Sequence, residues 1–213
     1  MSKENYFIIR PFGPSIVKLR MPENLVNKLN TYVDKIITDK KKSSELDHGA
    51  ELVGMVTQEF TLEKNFMEEA GWGKFLTLAC GKWIQLACGT KISKFQILSS
   101  WIVRQFKNEY NPTHYHGGHI SGVGYLKVPN NLGSTKQGNK KKNLNGCLQL
   151  IHGSKMFMSE SIYTAKPAVG DFYLFPNYLM HTVFPFTDTD EERRSVSFNA
   201  KIDDQIYNVY GTK

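Results

Sequence analysis

The chain has 213 residues, 40% of them hydrophobic and 12% aromatic, and a formal net charge of +7. This length suits one domain with a full core, and the composition excludes a disordered or collagen-like chain. No apolar run is long enough to span a membrane, and the first residues, MSKENYFIIRPFG, lack the basic-then-apolar layout of a signal peptide. We therefore expect a cytoplasmic protein without a membrane partner.

The first predicted elements are a short strand and a helix. YFIIRPFG (residues 6–13) fits an edge strand that Pro11 and Gly13 end. PENLVNKLNTYVDKII (22–37) has its apolar residues at helical spacing. We expect the helix to bury this apolar stripe.

A polar loop and a second helical region follow. Residues 38–49 contain DKKKSS and have the composition of a solvated loop. FMEEAGWGKFLTLACGKWIQLAC (66–88) again has helical spacing. Gly71 and Gly73 mark its weak point or a junction between two helices.

From about Lys94 the apolar spacing changes from helical to alternating, which predicts strands. The expected strands are FQILSSWIVRQF (95–106), ISGVGYLKV (120–128), CLQLI (147–151), KMFMS (155–159), DFYLFP (171–176), HTVFPF (181–186) and RRSVSFNAKI (193–202). No helical pattern separates them, so we expect an antiparallel sandwich or barrel rather than βαβ units. The predicted fold class is α+β, mainly β, in a single domain: residues 1–93 form a strand and helices that pack on a β core over residues 94–208.

The histidines indicate a metal site. Three of the six lie close together, at His114, His116 and His119. Side chains at i and i+2 of an extended chain point to one face, so His114 and His116 can converge on one ion. His181 follows a strand and a turn that return toward the same barrel. Three imidazoles would hold Fe, Zn, Cu or Ni on one side and leave the other side open.

The last predicted strand carries a candidate anion site. Arg193 and Ser195 share one face, where a guanidinium and a hydroxyl are suited to hold a carboxylate. Arg194 lies on the opposite face, and the sequence leaves the choice of arginine open by one position. On the strand ISGVGYLKV, Tyr125 shares a face with Val123.

The order H-x-H, SGV-x-YL-x-x-P, G-x(3)-LFP-x(4)-H-x-V-x-P and R-x-S-x-SFN resembles the Fe(II)- and 2-oxoglutarate-dependent dioxygenases. It is most similar to a branch found in bacteria and cyanophages that is distantly similar to prolyl hydroxylases. SSWIVRQFKNEYNPTHYH (99–116) and HGAELVGMVTQEFTL (48–62) are also similar to segments of that branch. The similarity covers most of the chain and is densest from Ser99 to Asn199.

The resemblance implies a double-stranded β-helix (jelly roll) with an N-terminal helical layer. It also implies a hydroxylase that uses Fe(II) and the cosubstrate 2-oxoglutarate. The iron ligands it implies are His114 and His181. The residues it assigns to the far carboxylate of 2-oxoglutarate are Arg193, Ser195 and Tyr125.

This chain departs from most of the superfamily at the second metal-ligand position. Most members have Asp or Glu there, whereas this chain has His116, as the similar branch also does. Either His116 completes a three-histidine site, or it flanks the site and a water takes that position.

Several neighbouring residues have structural alternatives. His119 fits a structural role or one that orients a metal ligand, and His152 fits a turn. Trp101 and Gln105 share a strand face that lines either the pocket or the core. A turn role accounts for Asp171.

Two other classes of protein fit part of the pattern. Cupin-type metalloproteins without a cosubstrate also use H-x-H and a later histidine on a jelly roll. They usually place a Glu a few residues after H-x-H, which this chain lacks. A non-catalytic jelly-roll binding or structural protein would account for the missing carboxylate.

The partners are only broadly indicated. The substrate to be oxidised, the prime substrate, is a protein side chain or a small molecule, and loop 130–145 lies where such enzymes often select it. The loop's lysines, like those in DKKKSS, have the setting of a solvated segment, which disfavours nucleic acid. A homodimer is expected on frequency alone. Three cysteines without a C-x-x-C pair indicate reduced thiols.

Overall fold

The structure, a computed structural model, describes residues 6–9 and 13–208. Its strands are β1 Tyr6–Ile9, β2 Ile16–Arg20, β3 Gln58–Thr61, β4 Phe95–Gln105, β5 Asn111–His114, β6 Ile120–Lys127, β7 Leu148–Ile151, β8 Ile162–Ala165, β9 Asp171–Pro176, β10 Met180–Val183 and β11 Arg193–Ile202. Its helices are α1 Glu23–Thr38, α2 Lys40–Glu45, α3 Lys64–Ala70, α4 Trp72–Cys88 and α5 Asp204–Tyr207.

The strands form two antiparallel sheets. The larger has the order β1-β2-β9-β6-β11-β4-β3, and the smaller has the order β5-β10-β7-β8. One apolar cluster lies between the sheets and joins Tyr125 and Phe175 of the larger to Leu148 and Leu150 of the smaller. This two-sheet arrangement confirms the predicted jelly roll, mainly β with helices added.

The helices cover the outer face of the larger sheet. Leu29 and Val33 of α1 and Trp72 and Leu76 of α4 are buried in a second cluster with residues of that sheet, among them Phe198. The predicted N-terminal helical layer is therefore confirmed. The junction between the two later helices lies at Gly71, whose φ of 82° suits a residue without a side chain.

The N-terminal region also supplies strands that the alternation did not predict. β2 pairs with β9, and β3 pairs with β4, so three strands before residue 93 extend the larger sheet. The predicted first strand is confirmed over Tyr6–Ile9, at the sheet edge. Pro11, one of its two expected stop signals, lies outside the described residues.

Two other local predictions were wrong. The loop expected over 38–49 contains α2, because the Asp39 side chain accepts hydrogen bonds from the N–H groups of Lys41 and Lys42 and caps the helix. The segment 155–159 is a tight turn with exposed apolar side chains rather than a strand; Phe157 is 94% exposed. The strand lies later, at β8, and one helical turn, α5, follows β11.

Candidate metal and carboxylate site

Three imidazoles converge at the β5 edge of the smaller sheet. His114, the last residue of β5, is paired directly with His181 of β10. His116 lies two residues beyond, in a loop that Asn177 holds: its amide donates to the His116 carbonyl at 3.0 Å. The metal-binding atoms of the three imidazoles all lie within 4.8 Å of one another.

The backbone fixes which nitrogen of two rings is available. Nδ1 of His114 lies 2.7 Å from the Pro112 carbonyl oxygen, and Nδ1 of His181 lies 2.9 Å from that of Leu179. A carbonyl oxygen only accepts, so each Nδ1 carries the hydrogen and each Nε2 keeps a free lone pair. Backbone contacts of this kind commonly orient histidines that bind metals.

The imidazoles are neutral at physiological pH. Burial, together with the neighbouring imidazoles, lowers the pKa of His181 to about 3 and that of His116 to about 4. The pKa of His114 is also lowered by burial. Neutral imidazoles are the form that binds a metal ion.

His116 joins the other two imidazoles. Its Nε2 lies 3.1 Å from Nε2 of His181. Two nitrogens bound at about 2.1 Å to adjacent positions of one ion lie about 3 Å apart, so this spacing fits a shared metal. The donor set therefore fits a divalent transition metal held by three histidines.

The same pocket contains a buried arginine without an anionic partner. Arg193 is 2% exposed, and its Nη1 donates to Oε1 of Gln105 at 2.6 Å. Its Nε and Nη2 have no hydrogen-bond partner among the described residues, nor does the hydroxyl of Tyr125. The guanidinium lies 4.9 Å from the Tyr125 ring centroid, and Ser195 pairs with Tyr125 across β6 and β11.

Arg194, on the opposite face of β11, is fully occupied. It makes five hydrogen bonds, to Glu192, Asp34 and Asn30. Its guanidinium is therefore committed to the helical side of the sheet. Arg193 is the arginine that faces the histidines across the pocket.

Trp101 and Gln105 both lie on the pocket face of β4. Trp101 lines the pocket and packs edge-on against His116, with 5.5 Å between ring centroids. Gln105 holds Arg193, as described above. Trp101 therefore lines the pocket, as one of the two alternatives expected, whereas Gln105 is not among the described lining residues and reaches the pocket only through Arg193.

Two further expectations concern residues away from the pocket. His119 accepts a hydrogen bond from the N–H of Ile202 at 3.1 Å and stacks on Tyr207, so its role is structural. Asp171 does more than end a turn: its carboxylate pairs with Lys18 at 2.7 Å and Arg20 at 2.6 Å. These two contacts join β2 to β9.

Two polar residues of the pocket were missed by the sequence reasoning. Glu59 of β3 is 2% exposed, and burial and Asp47 raise the pKa of its carboxyl group to about 7. Asn111 of β5 has a buried Oδ1 without a hydrogen-bond partner. The only available signals were the family-like segments 48–62 and 99–116, in which neither residue stood out.

The loop over the pocket is not the one that the sequence favoured. Glu51, Leu52, Val53 and Gly54 line it, whereas among the described lining residues there is none from 130–145. That predicted substrate-selecting loop is instead closed on itself, since the Asn143 amide donates to the Gly133 carbonyl.

One protein family matches the strand-rich part of the chain. Residues 99–199 match a family described as "Putative 2OG-Fe(II) oxygenase". No curated protein matches the chain. Of the helices that the structure describes, none has the length and apolar character needed to cross a membrane.

Solved structures share the fold at low sequence identity. A prolyl-4-hydroxylase from Pseudomonas putida is 14% identical, with a TM-score of 0.57 over 88% of this chain and 91% of its own. The viral collagen prolyl hydroxylase of Paramecium Bursaria Chlorella virus-1, solved with 2-oxoglutarate, is 13% identical, with a TM-score of 0.54 over 86% of this chain and 94% of its own.

A third similar structure carries both a metal and a cosubstrate. HygX from Streptomyces hygroscopicus, solved with nickel, 2-oxoglutarate and hygromycin B, is 10% identical, with a TM-score of 0.54 over 87% of this chain and 82% of its own. At these identities the likeness concerns the fold.

Proposed function

We propose that this chain is an Fe(II)- and 2-oxoglutarate-dependent oxygenase and that it hydroxylates a C–H bond of a prime substrate in the pocket described above, since residues 99–199 match a family of such enzymes. One observation carries the proposal. A buried guanidinium with two unpaired nitrogens faces the same pocket as three clustered imidazoles. A cation and a metal site in one cavity suit a cosubstrate that carries a carboxylate at each end.

His114, His116 and His181 would hold the iron. Their free Nε2 lone pairs, their neutral state and their spacing suit Fe(II). Bound Fe(II) and 2-oxoglutarate together supply the activation of O₂, with release of succinate and carbon dioxide, that side chains alone do not provide.

Arg193 would bind the far carboxylate of 2-oxoglutarate. Its unpaired Nε and Nη2 offer two parallel N–H donors, the geometry of a bidentate carboxylate contact. Gln105 fixes the guanidinium from the other side through Nη1. The hydroxyls of Tyr125 and Ser195 lie beside it and would donate the remaining hydrogen bonds.

The apolar lining would exclude water around the reacting groups. Leu148, Phe175 and Val183 line the pocket between the arginine and the histidines. A low-polarity wall strengthens both the carboxylate contact and the metal site.

The first test is calorimetric titration of 2-oxoglutarate into the anaerobic, Fe(II)-loaded protein and its Arg193→Ala variant. We expect binding to the parent and none to the variant. Retention of metal by the variant, measured by elemental analysis, would establish that the histidine site is intact. Absence of 2-oxoglutarate binding to the Fe(II)-loaded parent protein would refute the proposal.

A further inference from the structure

The pocket has a second polar end, opposite the arginine. Ser195 pairs with Val103, and Val103 pairs with Glu59, so these three residues form one row across β11, β4 and β3. All three line the pocket. The floor of the cavity therefore has a cationic side near Arg193 and an acidic side at Glu59.

At the acidic side, two side chains have oxygen atoms that receive no hydrogen bond from the described residues. Within the described part of the chain, the Glu59 carboxyl group makes no hydrogen bond or ion pair, although the residue is 2% exposed. Oδ1 of Asn111 is buried and also unpartnered. Buried polar atoms are normally paired, so the unpartnered Asn111 oxygen beside the carboxyl group of a 2% exposed Glu59 indicates a ligand that donates to both.

Gly54 leaves space beside both oxygens. A Cβ at this position would lie 2.8 Å from Oδ1 of Asn111 and 2.9 Å from Oε1 of Glu59. Any larger residue would thus fill the space in which the two acceptors are reached together.

The charge around this wall favours a cation. Residues 45–63 contain five carboxylic acids, Glu45, Asp47, Glu51, Glu59 and Glu63, and no Lys or Arg, in a chain of net charge +7. This acidic segment contains both the loop over the pocket, residues 51–54, and strand β3. A basic group entering the pocket would be attracted to this end and repelled from Arg193.

We propose that Glu59 and Asn111 form a subsite for a basic nitrogen of the prime substrate, a primary ammonium or a guanidinium. The inference rests on the proposed function, since Arg193 and the histidines would hold the cosubstrate and metal at the other end. The substrate class is then an amine-bearing molecule or side chain, oxidised at a carbon near that nitrogen. Burial without a counterion is also what raises the pKa of Glu59, and a bound cation would restore the ionised carboxylate.

The test uses simple probes on the whole protein, loaded with Zn(II) and 2-oxoglutarate for NMR. We would titrate n-butylammonium, n-butylguanidinium and, as the neutral analogue, n-butanol, and follow amide shifts. A charge-assisted, buried contact predicts that at least one cation binds roughly tenfold or more tightly than n-butanol. In Glu59→Gln this preference should fall to about twofold or less. The matched control is Glu51→Gln, a lining carboxylate whose side chain is 77% exposed, which should keep the preference.

Each outcome decides the proposal. No preference for either cation in the parent protein overturns it, and so does an equal loss in both variants, which would assign the effect to the general acidic field. Binding of 2-oxoglutarate in the same samples separates the two claims. If 2-oxoglutarate binds and the cations do not, the subsite fails and the oxygenase function stands; if 2-oxoglutarate does not bind, the proposed function fails.

Discussion

Two neighbouring buried arginines on β11 are used in opposite ways. Arg194, on the helical face, makes five hydrogen bonds within the protein and holds two carboxylates. Arg193, on the pocket face, makes one, to Gln105. Since an unpaired buried charge lowers stability, the first arginine is a structural residue, and the second is retained at a cost that a bound anion would offset.

The largest expected effect comes from Arg194→Met. The change removes one of the two arginines that pair with Glu192 and hold its pKa below the usual value despite burial, and Arg104 remains as the other. Because Glu192 keeps one partner, the free energy of unfolding should fall by about 3 kcal/mol, the low end of the range for a broken buried pair. Urea unfolding measures this, and the affinity for 2-oxoglutarate measured below the transition should stay within about twofold of the parent value.

A loss of 2-oxoglutarate binding in folded Arg194→Met would contradict the separate roles of the two arginines. It would mean that the helical face of β11 also determines the pocket. The register of β11 against β4 and β6 predicts otherwise, because Arg194 and Val196 alternate with the pocket-facing Arg193 and Ser195.

For Arg193→Met we expect the free energy of unfolding of the ligand-free protein to change in the opposite direction. Replacing a buried cation that has no anionic partner with an apolar side chain should raise the stability of the ligand-free protein by about 2 kcal/mol. Thermal unfolding with and without 2-oxoglutarate checks both halves of the argument. The parent should gain stability from the ligand, whereas the variant should start higher and gain none. A variant less stable than the parent would mean that the contact of Arg193 with Gln105 stabilises the fold by more than the unpaired charge destabilises it.

The alternation of β11 was enough to predict these two faces from the sequence, because ten consecutive residues keep one period. The histidines were also predictable as a group, since His114 and His116 stand two apart. Glu59 was not. Its strand is the four-residue segment QEFT, too short for a period to emerge, and its burial depends on β4 and the loop at residues 51–54.

Two of the errors, at α2 and at residues 155–159, have the same physical origin. In α2 a single Asp39 side chain outweighs the polar composition of KKKSSE, since capping is local and the helix buries no residue. In the turn at residues 155–159 the apolar side chains are exposed, so hydrophobic spacing has no meaning there. In these two segments the pattern failed because the element buries no face, whereas β2 and β3 bury residues but are only five and four residues long.

Glu59 extends the comparison to an acid on the pocket face, and its effect depends on pH. Its folded pKa, about 7, is above the ordinary value of 4.5, so the folded protein retains a proton that the unfolded chain has released between these values. Stability therefore falls as pH rises through this window and stays reduced above it. Glu59→Gln removes this pH-dependent loss of stability. Its free energy of unfolding, relative to the parent, should be about 1.5 kcal/mol higher at pH 8 than at pH 5, a value reduced to allow for solvent screening in the pocket.

The control for this pH effect is Glu68→Gln, an exposed acid on α3. Urea unfolding of both variants at pH 5 and pH 8 gives the comparison. Equal differences for the two variants would indicate that Glu59 already has a partner when folded, and the case for an unpaired acid at that wall would fail.

The smallest expected effect is that of removing the Tyr125 hydroxyl, which tests its part in 2-oxoglutarate binding. Its buried hydroxyl has no hydrogen-bond partner among the described residues, so Tyr125→Phe should leave the ligand-free protein at least as stable as the parent. If that hydroxyl donates to the cosubstrate carboxylate, the change should weaken 2-oxoglutarate binding about fivefold to tenfold, the value of one hydrogen bond. Tyr178→Phe, at a tyrosine that is 49% exposed, is the control in the same calorimetric titration. Unchanged affinity in Tyr125→Phe would leave Arg193 and Ser195 as the carboxylate contacts and make Tyr125 only the aromatic face on which the guanidinium packs.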